Sequence, residues 1–144
     1  KMKYLLFIFF FSCTAEMPSD NYKIVNTKFE GNDLRFFNEL NDIRISKGLN
    51  PLKGEFNLTV GCMMHSLYMS ETDSLNHTYF LQRYINSKAV KFGEVVSYGY
   101  LTPESQISAY ESSDTHYKAL TGKEYKYIGI STIGLYQTVN LASY

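Results

Sequence analysis

The end of the chain decides which architectures are open to it. Residues 127–133 and 136–142 are rich in Tyr, Ile, Thr and Val, and only Gly134-Leu135 lies between them. Two such runs around a tight glycine-containing connection read as a β-hairpin. Most of what precedes them carries helical spacing. A first helix is predicted over 33–47, where Phe36, Leu40 and Ile43 recur at helical intervals, with Asn32 or Asp33 as cap and Gly48 as stop. The segment Gly48-Leu49-Asn50-Pro51-Leu52 then turns Leu49 and Leu52 back onto the core, and Asn41 and Arg44 anchor that turn. A second helix is predicted over 56–72, because Leu58, Cys62, His65 and Met69 fall at steps of four, three and four on one face. Gly61 costs that helix up to about 1 kcal/mol against alanine. A short helix over 80–87, a strand over 90–97 and a helix capped by Thr102 complete the pattern. Pro103 opens that last helix where a missing N–H does no harm, and it ends near Ser113. Strands and helices do not alternate, so a doubly wound sheet is excluded. The order fits an α+β sandwich with a small antiparallel sheet between helical layers.

At 144 residues the chain corresponds to one domain, large enough to bury a core without staples. Its formal net charge is zero, so it lacks the basic footprint that nucleic acid requires. The 13 Tyr and 10 Phe suit strands, core edges and half-buried groove walls. Residues 1–12 read as a signal peptide: Lys1 and Lys3 flank Met2, and residues 4–11 are an apolar run too short to cross a bilayer. The run stops at Phe10-Phe11-Ser12-Cys13, which resembles a relaxed bacterial lipoprotein box. In that reading Cys13 is lipidated and holds the protein on a membrane through residues 13–30 as anchor and tether. An ordinary cleavage site with an incidental cysteine is the other reading. Cys62, the second of two cysteines, then lacks a partner and serves as a small buried hydrophobe; a Cys13–Cys62 bridge is the minor alternative.

Three short segments carry the chemistry: Asn76-His77-Thr78, Gly93-Glu94-Val95-Val96 and Ser113-Asp114-Thr115-His116. Two imidazoles and a carboxylate can bind a divalent metal such as zinc, with water completing the shell. They can equally form a metal-free acid–base cluster or a buried hydrogen-bond network that joins loops to the sheet. His65 lies on the apolar face of its helix and reads as a core histidine. Other catalytic patterns are missing: the sequence has no Gly-x-Ser-x-Gly elbow, no His-Glu-x-x-His and no phosphate-binding glycine loop.

In this order, after Leu40-Asn41-Asp42-Ile43-Arg44 and Gly48-Leu49-Asn50-Pro51-Leu52, the segments resemble the CAP superfamily of cysteine-rich secretory, antigen 5 and pathogenesis-related 1 proteins, in its bacterial SCP-like form. The resemblance covers residues 31–144 and implies a three-layer α-β-α sandwich. It implies a cleft lined by His77, Glu94, the acid of a Gly-Glu-Asn motif, and His116, the end of a Ser-Pro-Gly-His motif. Tyr110 stands where the family has a cleft tryptophan, which makes it a ligand-binding candidate. His77 and His116 would be the metal ligands if zinc is bound. The departures are Val95 for the motif's Asn, Asp114-Thr115 for Pro-Gly, and Ser113 where eukaryotic members have a second glutamate. Glu111 is about 200° out of phase with that position. The resemblance implies a secreted or lipid-anchored envelope protein that binds a ligand or partner, with lipids and other apolar molecules as the class. A metal-dependent hydrolase using His77, Glu94 and His116 is the alternative, and a purely structural envelope protein the third.

Overall fold

The computed structural model of the protein describes residues 24–144. The expected signal peptide and the lipidation of Cys13 lie outside the described residues. The elements are α1 (Gly31–Ser46), β1 (Lys53–Gly54), α2 (Phe56–Thr72), α3 (Phe80–Ser87), β2 (Lys91–Tyr98), α4 (Pro103–Glu111), α5 (Asp114–Leu120), β3 (Tyr127–Ile133) and β4 (Tyr136–Ser143). The sheet runs β1-β3-β4-β2. Its three long strands are antiparallel, and the two-residue β1 adds a parallel edge beside β3.

Strand alternation sorts the side chains into two layers. Gly93, Val95 and Ser97 of β2 face one side, together with Ile128, Ile130, Val139 and Leu141. There they meet Phe36 and Leu40 of α1, Ile107 and Tyr110 of α4 and Leu120 of α5. Each such apolar side chain contributes about 1.5–3 kcal/mol on burial. Phe92, Glu94 and Val96 face the other side, where α2 lies across β3 and β4 with α3 beside it. The predicted three-layer sandwich is the observed one.

Several details differ from the expectation. Neither Asn32 nor Asp33 caps α1; Glu30 holds the cap position without a side-chain bond. The Asp33 carboxylate instead accepts from the N–H and hydroxyl of Thr132, tying α1 to β3. The helix capped by Thr102 ends close to where it is predicted, at Glu111, but a further short helix, α5, follows it from Asp114. Residues 26–29, read as tether, belong to the fold: Asn26 bridges Glu55, and Phe29 is buried against Phe37. The anchoring role of Asn41 and Arg44 is seen directly. Asn41 accepts from the Leu52 N–H at 2.8 Å, and the buried Arg44 donates to the carbonyls of Asn50, Leu120, Gly122 and Tyr125.

Candidate functional site

Two glycines let neighbouring elements close on the sheet where the polar residues sit. At Gly129 an added Cβ would lie 2.3 Å from the Leu58 carbonyl carbon, so α2 packs on bare backbone of β3. At Gly93 an added Cβ would lie 2.6 Å from the Tyr125 hydroxyl. The glycine therefore seats Tyr125 on one face while its neighbour Glu94 points to the other.

Glu94 is wholly buried under α2 and α3. Arg83 of α3 grips its carboxylate with both arms of a fork, Nε to Oε2 at 2.6 Å and Nη2 to Oε1 at 2.7 Å. The third arm, Nη1, donates to the Thr78 carbonyl at 2.7 Å. His77 Nδ1–H donates to Glu94 Oε1 at 2.9 Å. His65 Nε2 stands 4.0 Å from that same oxygen and donates to the Asn76 carbonyl at 2.8 Å. Burial alone would raise the Glu94 pKa. The bonds from His77 and Arg83, with the guanidinium charge, outweigh it and hold the carboxyl below the ordinary range. Burial, reinforced by Arg83, lowers His65 and keeps it neutral, against the pull of Glu94. Burial pushes the Cys62 thiol well up, which leaves it inert.

His116 is not brought to this cluster. It lies in the first turn of α5 in the opposite layer, where Ser113 Oγ lies 2.6 Å from its Nδ1 and the Tyr110 ring packs 5.7 Å from its own. Tyr110 is buried in the same layer as Val95. Successive β2 residues point to opposite faces, so Glu94 and the Tyr110–His116 pair lie on opposite sides of the sheet. The candidate set thus divides into His77 with Glu94 and Tyr110 with His116. Among the described residues no three His, Cys, Asp or Glu side chains gather to hold a metal. A zinc ion between His77 and His116 would have to span the sheet. One bound at Glu94 would sit beside a guanidinium already engaging both carboxylate oxygens. His77 and His116 therefore do not form one ligand set.

Sequence reasoning missed Arg83, whose partner is set by tertiary packing and not by any local pattern. Its only trace is that Arg83 is the sole charged residue between Ser74 and Ser87. His65 is buried as expected, yet it also lines a groove. That groove, of about 460 Å³, opens between α2 and α3. Val60, Met64, Tyr68, Tyr79 and Phe92 make its apolar walls, and Asn57, His65, Gln82, Arg83, Asn86, Ser87 and Asn140 supply polar atoms. His65 Nδ1 and Asn140 Oδ1 are buried without a partner in the protein. Neither His116 nor Tyr110 lines it.

The sequence model of the cysteine-rich secretory protein (CAP) family matches residues 37–140. The chain belongs to the CAP family. Solved structures carry the same fold at low identity. An extracellular SCP-domain protein of Bacillus anthracis superposes with a TM-score of 0.73 at 19% identity, covering 78% of this chain and 40% of that one. A cysteine-rich secretory protein of Staphylococcus aureus gives 0.69 at 20% identity, with 78% and 39% covered. An outer surface protein of Borrelia burgdorferi gives 0.70 at 19% identity, with 83% and 98% covered. The CAP chain described here thus spans about 40% of the first two proteins and nearly all of the third. No curated protein sequence matches it.

Proposed function

We propose that this CAP domain is an extracytoplasmic binding module, not an enzyme, and that it takes an uncharged ligand with an apolar body and a hydroxyl headgroup in the α2–α3 groove. The extracytoplasmic setting is suggested by the amino-terminal pattern ending at Cys13 and by the extracellular and outer-surface relatives. The observation that carries the ligand class is the state of the groove's polar groups. Arg83, its one cation, is engaged by Glu94 and the Thr78 carbonyl. Glu94 is engaged on both oxygens, which weighs against a general-base role. Of the other polar side chains that line the groove, two present buried acceptors without a protein partner, His65 Nδ1 and Asn140 Oδ1, which suit a donor such as an alcohol O–H. The volume lies within the range of small-molecule sites.

The test is calorimetric titration with dodecanol and with dodecanoate, on the protein and on Gly61→Leu. Gly61 lines the groove, and an added Cβ there already lies 3.4 Å from Asn140, so a leucine fills the space while raising helix propensity. Dodecanol should bind at least about tenfold tighter than the acid, a difference of about 1.4 kcal/mol, and Gly61→Leu should lose it. Equal affinity for the acid, or binding untouched by Gly61→Leu, sinks the reading.

A further inference from the structure

The helix that builds the groove is apolar on both sides. Leu58, Cys62, His65, Ser66 and Met69 are buried against the sheet. Opposite them Phe56, Val60, Met63, Met64 and Leu67 recur at i, i+4, i+7, i+8 and i+11, which places them within an arc of about 100°. Val60 is half-buried, and the other four are exposed, Met64 by 66%. A helix apolar all round is ordinarily enclosed on all sides; this one is half uncovered. Residues 56–70 contain no Asp, Glu, Lys or Arg. The neighbouring surface continues the pattern, with Tyr79, Leu81 and Ile85 exposed and Arg83 turned inward onto Glu94. The opposite layer carries ordinary exposed charges: Arg35, Glu104, Glu111, Asp114 and Lys118. An exposed apolar patch of this extent marks a contact surface.

The path of the chain points to what covers it. The Phe56 N–H donates to the Val25 carbonyl at 2.8 Å, and the Thr27 N–H donates to Gly54. The described chain therefore begins beside the first turn of α2, at the head of the apolar stripe. Ile24 is eleven residues downstream of Cys13, a reach of at most about 40 Å. We propose that the outward face of α2 and α3 rests on an uncharged lipid surface, with the amino-terminal tether holding the start of α2 against it. The tether rests on the envelope reading above; the face does not. The stripe runs about 16 Å along the helix, from Phe56 to Leu67. No helix among the described residues is long and apolar enough to cross a membrane, so the contact is one of lying on the surface. The exposed Glu71 ends the stripe one turn beyond Leu67; with no charge between Phe56 and Leu67, the attraction comes from apolar area and is insensitive to salt. The groove between α2 and α3 opens on this same face, so a neutral amphiphile passes into it from the lipid without crossing water.

The chain has no tryptophan, so a single introduced one reports its own surroundings. Full-length Met63→Trp, Leu67→Trp and, on the opposite layer, Glu111→Trp are mixed with vesicles of brominated phosphatidylcholine. All three sites are exposed, and circular dichroism confirms that the variants fold. The expected result is loss of about half the emission or more at positions 63 and 67, none at 111, and no change between about 0.1 M and about 1 M salt. Vesicle binding without quenching at 63 and 67 overturns the proposal and leaves the anchor reading intact. Equal quenching at all three positions, or no association, also overturns it. So does a lipid-free, concentration-dependent blue shift at 63 and 67, which would mean that a second copy covers the face. The mass of the peptide containing Cys13 tests the anchor separately, and quenching at 63 and 67 without acylation would sink the anchor alone.

Discussion

Glu94 is a carboxylate with no exposure, held by one guanidinium and one imidazole. Removing the guanidinium leaves a buried charge largely uncompensated. Arg83→Met should therefore cost about 3–5 kcal/mol in urea unfolding. Adding Glu94→Gln to that variant should recover part of the loss, because the uncompensated charge is gone. A cost below about 1 kcal/mol for Arg83→Met would show that water reaches the carboxylate. The pH dependence has a definite sign. Folding lowers the His65 pKa, so the unfolded chain binds that proton more readily. The resulting stability is complete above the unfolded value of about 6.5 and falls away as the pH drops below it. Folding also lowers Glu94, whose contribution persists above about 4.3 and fades only below that. Melting temperature should thus decline in two stages on acidification, and His65→Gln should flatten the first stage alone. Loss of the second stage in that variant, with the first intact, would reverse the assignment. Only part of this network was legible in advance. The sequence displays His77 and Glu94 as candidates, but Arg83 is an unremarked cation in a short helix until the fold sets it over the strand.

Elements were legible in proportion to how long they sustain a period. Residues 56–72 hold helical spacing over four turns and form the predicted helix; the hairpin announces itself at Gly134, which adopts a φ of 60°. The seven-residue α5 gives too few turns to show a period, and its start was read as a motif instead of a helix. The two-residue β1 has no pattern of its own and is defined only by its pairing with β3. The contact between α2 and β3 shows what the sequence leaves implicit. A glycine in a strand usually weakens it, whereas Gly129 is the point where helix and sheet touch backbone to backbone. Gly129→Ala forces α2 off the sheet, since the atoms it meets belong to the main chain. We expect a loss of about 1–3 kcal/mol or more in denaturant midpoint, with contraction or distortion of the groove read as weaker dodecanol binding. A neutral effect on both would mean that α2 shifts freely, and the groove geometry would then not be a fixed property of the fold.

On the scale of the whole molecule the sheet is a partition. The layer formed by α1, α4 and α5 is held by apolar packing and by Arg44, and its outer surface is charged. The layer formed by α2 and α3 contains the ionic network, the groove and the apolar outer stripe from Phe56 to Leu67. The family resemblance brings both histidines to one cleft, because order along the chain carries no information about which face of a strand a partner occupies. Alternation along β2 supplies it, assigning Glu94 to one layer and Val95, with Tyr110 and His116, to the other. The separation has a thermodynamic signature. Residues with no shared partners contribute additively, within about 0.3–0.5 kcal/mol, whereas members of one cluster or one metal shell do not. His77→Ala removes a donor from Glu94, and His116→Ala removes the partner of Ser113; each should cost about 1–3 kcal/mol. In the double variant the two costs should sum, with and without added zinc, in urea titrations run side by side. A coupling of 1 kcal/mol or more, or one that appears only when zinc is present, would place the two imidazoles in a common site and restore the hydrolase alternative that the partition argues against.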